Sequence, residues 1–210
     1  MERSATKVTP DDVKRLRELT GAGVMDCKRA LEESDGDLEK ATAWLQRQGL
    51  AAAAKKTGRA ARDGVVASYI HHGARLGVLI EVNCETDFVA RTDDFQALAR
   101  ELAMQVAGMS PEFVSRDDVP AERLDAMRAE FAEAARAEGR PADRIEAIVE
   151  GRVGKWLESV CLLEQPYRDT DRKVADLISE KVALLGENIR VARFSRMAVG
   201  ETSEAAGSAG

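Results

Sequence analysis

Hydrophobic residues near the N-terminus recur at three- and four-residue intervals, which is the period of an amphipathic helix. Thr9 and Pro10 open the first run, since threonine is favoured at the N-cap of a helix and proline at its first position. Gly21 follows the run and is placed to end it in the left-handed conformation that glycine adopts readily. The pattern therefore predicts a helix whose apolar face is formed by Val13, Leu16 and Leu19.

Two more short helical patterns follow before residue 50. Asp26 is a candidate N-cap for the second helix, and Asp37 opens a third that closes at Gly49. Together the three helices predict a small module over residues 1–50. Because three helices in about 40 residues bury only a small core, such a unit more often binds a partner than performs chemistry.

An alanine-rich, basic stretch over residues 51–63 links this module to the rest of the chain. Its alanines favour a helix, although a flexible linker is the alternative. Its positive charges are typical of a solvated face, and a patch that contacts RNA is the second interpretation. The basic side chains in question are Lys55, Lys56, Arg59 and Arg62.

From residue 64 onward the apolar period changes to that of β-strands. The runs 65–70 and 76–82 are rich in Val, Ile and Leu, and they flank His72, so they predict a hairpin. Thr92 then caps a helix. We therefore expect an α+β core over residues 64–200, with an antiparallel sheet and flanking helices.

The second half of the chain continues this core. Two helical stripes over residues 121–160 are divided at 139–141, and a further helical pattern over 174–185 precedes an alternating strand at 188–194. From Glu201 the sequence is rich in Ser, Ala and Gly, which predicts a disordered tail over 201–210.

Charge and composition narrow the class of protein. The chain carries 37 acidic and 31 basic residues and a net charge of −6, which disfavours a general nucleic-acid binder, because such proteins neutralise phosphates with Lys and Arg. Its first residues lack the pattern of a signal peptide, and no run reaches the roughly 18 apolar residues that span a bilayer. We therefore expect a cytoplasmic protein that binds neither nucleic acid nor a membrane.

Few residues offer catalytic or metal-binding chemistry. The sequence has no glycine-rich phosphate loop and no histidine or cysteine spacing typical of a metal site, so we expect no cofactor. A small enzyme that uses Asp87 or His72 is an alternative, but neither has an activating partner visible in the sequence. The cysteines, which we expect to be reduced and mostly buried, are Cys27, Cys84 and Cys161.

One polar segment, residues 83–91, invites a functional interpretation. It joins the second strand to the next helix, a position at which loops present functional residues on a rigid scaffold. Phe88 and Val89 are apolar here and lie beside Asp87. The alternative is that Phe88 folds back into the core while Asp87 makes a turn contact.

Two stretches resemble the signatures of the bacterial elongation factor Ts family. Residues 20–28 read TGAGVMDCK, and residues 82–91 read VNCETDFVAR. The resemblance continues through residues 150–152, 162–167 and 193–196 and covers the chain from about Thr6 to Gly200. Tyr167 stands where the family usually has Phe, a departure that keeps the aromatic ring.

The resemblance implies a guanine-nucleotide exchange factor for elongation factor Tu, without a chemical active site of its own. In this family a ubiquitin-associated-like three-helix module contacts the GTPase domain of elongation factor Tu. The segment 86–89 resembles the element that displaces the Mg²⁺ of the bound nucleotide. The residues implied are Thr86, Asp87, Phe88 and Val89 for Mg²⁺ displacement, and Leu16, Val24, Met25 and, with weaker resemblance, His72 for partner binding.

The alternative role for Leu16, Val24 and Met25 is packing inside the small bundle.

The resemblance also bears on assembly. Long members of the family carry two related core subdomains, whereas this chain shows one strand–strand–helix unit. Short members pair two chains, so the resemblance implies a homodimer, and the edge of the last strand near 190–194 is a candidate contact.

Overall fold

The computed structural model describes residues 8–168 and 170–201, with the side chain of Leu50 excepted. The helical region at the N-terminus and the three-stranded antiparallel sheet with its flanking helices confirm the α+β class. The predicted tail lies, beyond Glu201, outside the described residues. In chain order the elements are α1 Pro10–Thr20, α2 Val24–Glu33, α3 Leu38–Ala54, β1 Asp63–Ile70, β2 Leu76–Cys84, α4 Asp87–Ala90, α5 Asp93–Met109, α6 Ala121–Ala137, α7 Ile145–Val160, α8 Val174–Leu185 and β3 Arg190–Ala198.

The first helix begins and ends where the sequence predicts. Thr9 accepts a hydrogen bond from the backbone N–H of Asp12, whose carboxylate accepts in return from the backbone N–H of Thr9. Gly21 ends α1 with a φ of 67°. The helix packs on α2 and α3 around a small core made of Leu16, Cys27, Ala30, Leu31 and Ala41.

Two details of this bundle differ from the prediction. Leu19 does not face the core but is 67% exposed, because α1 buries only a narrow stripe against its two neighbours. The second helix begins at Val24 with Gly23 as its N-cap, so Asp26 lies in the first turn instead of capping it. A carboxylate in that turn still stabilises the helix through its dipole.

The third helix does not end at Gly49 as predicted but runs on to Ala54. The reason is a tertiary contact: a Cβ atom at position 49 would lie 3.0 Å from the Cβ of Ala183 in α8. Gly49 therefore permits a close approach of two helices instead of ending one. Within the stretch 51–63, the alanines at 51–54 belong to α3, whereas the remainder leads to β1 through turns and irregular backbone.

The sheet has the order β1-β2-β3, so β1 and β3 form its edges. Its inner face packs against α5 and includes the four buried β2 residues Val78, Ile80, Val82 and Cys84. On the outer face, Leu79 pairs with Ser68 of β1 and Ser195 of β3. That outer face carries large exposed apolar side chains at Val66, Ile70, Leu79 and Met197.

Helices α6 and α7 form a hairpin with an apolar cluster of its own, built mainly on Val149, Val153 and Leu157. The side-chain amide of Gln165 ties this hairpin to the core. Gln165 is fully buried, and its Nε2 donates to the carbonyl oxygens of Met109 and Ser159. Buried amides of this kind fix relative positions, since each lost bond leaves a carbonyl unpaired.

Candidate functional site

The segment after β2 is a single helical turn, α4, where the sequence suggested a loop. Thr86 is its N-cap, and Thr86 Oγ1 accepts from the backbone N–H of Val89 at 3.4 Å. Thr92 caps α5 in the same way, one residue after Arg91 closes α4. Two successive caps thus define the path of the chain from the sheet into the long helix.

The turn presents one aromatic side chain to solvent. Phe88 is 78% exposed, whereas Val89 and Ala90 are buried in the main core. The alternative that Phe88 folds back into the core is therefore wrong. Asp87 lies beside the ring, and its carboxylate is 2.7 Å from Nη2 of Arg91, an ion pair that is open to water.

A carboxylate from a distant part of the chain holds this turn in place. Glu187 Oε2 accepts from the backbone N–H groups of Glu85 and Thr86, both at 3.0 Å, and Glu187 Oε1 accepts from the hydroxyl of Thr86 at 2.6 Å. Glu187 follows Gly186, which ends α8 in the left-handed conformation. Sequence reasoning missed Glu187, because 101 positions separate it from Thr86.

The residues next to this carboxylate strengthen the connection. The backbone N–H of Asn188 donates to Glu85 Oε1 at 2.7 Å, and the buried side chain of Asn188 donates to the carbonyl oxygens of Thr57 and Arg59. Arg59 Nη1 lies 3.5 Å from Glu85 Oε1. One of the basic residues considered for RNA contact therefore pairs within the protein.

Cys84 contacts the same turn from the core side. Its thiol donates to the carbonyl oxygen of Thr86 at 3.1 Å. Burial, followed by the negative charge of Glu187, raises the pKa of Cys84 to about 11. The thiol therefore stays protonated at neutral pH and remains a hydrogen-bond donor.

The residues suggested for partner binding in the N-terminal module differ in their exposure to solvent. Leu16 is fully buried in the bundle, so in this structure it packs and has no surface to offer. Val24 and Met25 are exposed, Met25 by 68%, and Leu19 is exposed as well. A Cβ at Gly21 would lie 3.5 Å from Cδ1 of Leu184, an exposed residue near the end of α8.

Both motif regions therefore border the same end of α8. The loop before Val24 lies against Leu184, and three positions later Glu187 binds Thr86. The fold brings together two segments that are more than 50 positions apart in the sequence. Both segments contact the C-terminal end of α8 or the residue Glu187 that follows it, and neither Leu184 nor Glu187 belongs to a motif region.

His72 lies away from these segments. It is exposed at the tip of the β1–β2 hairpin, whereas the segment 86–89 follows the other end of β2. The strand from Leu76 to Cys84 rises about 3.3 Å per residue, which separates its ends by about 26 Å. The neighbouring His71 forms a hydrogen bond of 2.8 Å with the hydroxyl of Tyr69.

Metal-ligating groups are dispersed. Over residues 8–168 and 170–201, no three His, Cys, Asp or Glu side chains are grouped so that they could hold a metal ion. In the same part of the chain, no helix is long and apolar enough to cross a membrane.

Comparison with known proteins matches this chain to a family. The family model described as "Elongation factor TS" matches residues 51–201. The chain is 55% identical to an elongation factor Ts from Carboxydothermus hydrogenoformans over 195 aligned residues. The aligned region covers 92% of this chain and 90% of that relative. An elongation factor Ts from Thermotoga neapolitana is 53% identical over 93% of this chain and 98% of the relative.

A third relative, the elongation factor Ts from Coprothermobacter proteolyticus, is 56% identical over 90% of this chain and 96% of the relative. These matches, together with the α+β core and its N-terminal bundle, place the protein among the translation elongation factors. Within that class, the chain belongs to the elongation factor Ts family.

Proposed function

We propose that this protein is a guanine-nucleotide exchange factor that acts in the cytoplasm on elongation factor Tu. It binds the GDP-bound GTPase, displaces Mg²⁺ and stabilises the nucleotide-free state, without a chemical active site of its own. One observation carries the proposal: Phe88 is exposed on a turn that Val89 and Ala90 anchor in the core. A large apolar ring held in water is typical of a residue that is buried in a partner.

The ring supplies the binding energy for the displacement. Burial of a phenylalanine side chain contributes roughly 1.5–3 kcal/mol. Because α4 is already folded and capped by Thr86, little of that free energy is spent on ordering the segment. Phe88 therefore acts as a wedge that enters an apolar gap beside the nucleotide site.

The charged neighbours of Phe88 act on the Mg²⁺. Asp87 and Arg91 are paired and open to solvent, so both can exchange partners at low cost. A carboxylate brought close to the metal perturbs the ligands that hold it. Loss of the ion removes much of the positive charge that retains the phosphates of GDP.

The exposed end of the bundle provides affinity. Val24 and Met25 form an apolar surface that contacts the GTPase domain, while Leu16 supports that surface from within the bundle.

Thermodynamic linkage determines by how much the factor weakens nucleotide binding. A factor that binds the empty GTPase more tightly than the loaded form weakens nucleotide binding by the same ratio.

The outer face of the sheet supports the homodimer. This face carries the exposed apolar side chains of Val66, Ile70, Leu79 and Met197. Strand β3 forms an edge of the sheet beside them. An uncovered apolar sheet face favours packing against another sheet. A second copy of this chain brings an identical face related by a two-fold axis.

The exchange function is tested by release of fluorescently labelled GDP from elongation factor Tu after an excess of unlabelled GDP is added. We expect acceleration that rises with the concentration of this protein and saturates. Each tenfold acceleration corresponds to about 1.4 kcal/mol of barrier lowering. Release at the spontaneous rate, at every concentration of a folded sample, would overturn the proposal.

A further inference from the structure

We propose that Glu187 is a positioning residue for nucleotide exchange: it fixes the turn that presents Phe88. This inference rests on the proposed exchange function. Glu187 lies after α8, outside both motif regions, and it reaches the segment only through Glu85 and Thr86. Its carboxylate accepts three hydrogen bonds, all from the two residues that immediately precede α4.

The first step of the argument concerns Thr86. Its hydroxyl donates to Glu187 Oε1 at 2.6 Å and accepts from the backbone N–H of Val89 at 3.4 Å. Since one oxygen makes both bonds, Glu187 selects the rotamer in which Thr86 can cap α4. Without this acceptor, the hydroxyl is free to rotate and the cap is weakened.

The second step concerns the backbone. The N–H groups of Glu85 and Thr86 point at the same carboxylate oxygen, which fixes the direction in which the chain leaves β2. The bond from the N–H of Asn188 to Glu85 Oε1 closes a reciprocal pair of contacts between the two loops. These hydrogen bonds therefore fix the start of α4 relative to the end of α8, in addition to the core packing of Val89 and Ala90, while the exposed Phe88 contributes little packing.

These contacts predict different effects for different substitutions at position 187. Alanine removes all three acceptor bonds. Glutamine can accept from both backbone N–H groups through its oxygen and donate from its nitrogen to Thr86 Oγ1, so it preserves the clamp. Aspartate is one methylene shorter and cannot reach all three donors from the same backbone position.

The test compares wild-type protein with Glu187→Ala and Glu187→Gln in the GDP-release assay, at a full range of factor concentrations. We expect Glu187→Ala to lower the maximal release rate about tenfold, while the half-saturating concentration changes by less than about twofold. The affinity is retained because Val24 and Met25 are untouched. Glu187→Gln is expected to restore most of the rate.

Glu180→Ala is the matched control. Glu180 lies within α8, and its carboxylate pairs with Arg172, 2.9 Å away, instead of the segment 86–89. We expect the maximal GDP-release rate of Glu180→Ala to equal that of the wild type.

Thr86→Val is a second way to lower the maximal release rate, since it removes the hydroxyl while keeping the shape of the side chain. Its effect is expected not to add fully to that of Glu187→Ala, because both variants remove the hydrogen bond between the Thr86 hydroxyl and Glu187.

A measurement on the free protein separates this inference from the proposed function. Amide hydrogen exchange at Val89 and Arg91 is expected to be faster in Glu187→Ala than in wild type, with exchange in α5 unchanged. If wild-type protein fails to accelerate GDP release, the exchange function is wrong. If wild type accelerates release and Glu187→Ala matches it, or raises only the half-saturating concentration, the positioning role is wrong.

Discussion

Phe88 and Val89 are consecutive residues of one helical turn, yet Phe88 is 78% exposed and Val89 only 6%. Successive residues of a helix point about 100° apart, so a turn that lies on a core buries one of them and exposes the other. The burial of Val89 therefore determines where Phe88 points. This relationship separates a residue that holds the turn from a residue that is available to a partner.

The two neighbours are expected to respond differently to truncation. Phe88→Ala removes no internal packing, so we expect the free energy of unfolding in urea to stay within about 0.5 kcal/mol of wild type. GDP release from elongation factor Tu is expected to slow at least tenfold, as for a central binding residue. Val89→Ala, its matched control, is expected to destabilise the fold by about 1–3 kcal/mol.

Unchanged GDP release in a folded Phe88→Ala variant would contradict the role assigned to the ring. A loss of stability equal to that of Val89→Ala would contradict the exposure on which the role depends.

Leu16 and Met25 provide a second pair of contrasting substitutions. Leu16→Ala leaves a cavity in the small bundle, and we expect it to cost about 2–5 kcal/mol of stability. Met25→Ala leaves stability unchanged, because the side chain is 68% exposed, but it should raise the half-saturating concentration in the exchange assay by about tenfold. Circular dichroism during urea unfolding and the GDP-release titration measure the two effects.

Equal stability of the two variants would show that Leu16 does not support the bundle. An unaltered half-saturating concentration for Met25→Ala would remove the exposed end of the bundle from the partner surface.

The outer face of the sheet predicts the state of assembly. Light scattering of the wild type at micromolar concentration is expected to give twice the chain mass of 22.8 kDa. Leu79→Glu places a charge in the middle of the apolar face and is expected to give the single-chain mass. Met104→Glu, on the exposed side of α5, is the control and should remain a dimer. A monomeric wild type would refute the homodimer.

The buried thiols predict the stability of the protein in alkaline solution. Burial is the main reason why the pKa of Cys84 and that of Cys161 are raised from 9.0 to about 11. Between pH 9 and pH 11 the unfolded chain loses thiol protons that the folded chain retains. The contribution of the two thiols to the free energy of unfolding is therefore fully present below about pH 9 and is lost toward pH 11. Each thiol contributes a slope of up to about 1.4 kcal/mol per pH unit.

Urea unfolding at pH 8, 9 and 10 measures this decline, and Cys161→Ala is expected to show a shallower slope than wild type. Identical slopes for the two proteins would mean that Cys161 does not titrate differently in the folded and unfolded states.

Local features of the chain could be predicted from the sequence because their physics is local. The caps at Thr9 and Thr92 and the left-handed glycine at Gly21 depend on a few adjacent residues, and all three are found as expected. The hairpin at residues 70–76 follows from a short turn between two β-rich runs. The signature segments were found through resemblance to a family, which local patterns alone would not have identified.

Features that depend on tertiary contacts could not be predicted in this way. Gly49 looked like a helix end, but it lies where α3 meets Ala183. Leu19 has the spacing of a core residue, yet it falls beside the narrow buried stripe of the bundle. A glutamate that follows a glycine, such as Glu187, looks like a solvated residue until the fold brings Thr86 to it.

The close approach of Gly49 to Ala183 has a consequence for how strongly each surface needs to bind. Since α3 is packed directly on α8, the bundle with Met25 and the turn with Phe88 are carried on one support. If the two surfaces bind one partner as proposed, docking of the first presents the second at a high effective concentration. Under that proposal, two contacts that are individually weak suffice for capture, and each can be released in turn when a new nucleotide enters.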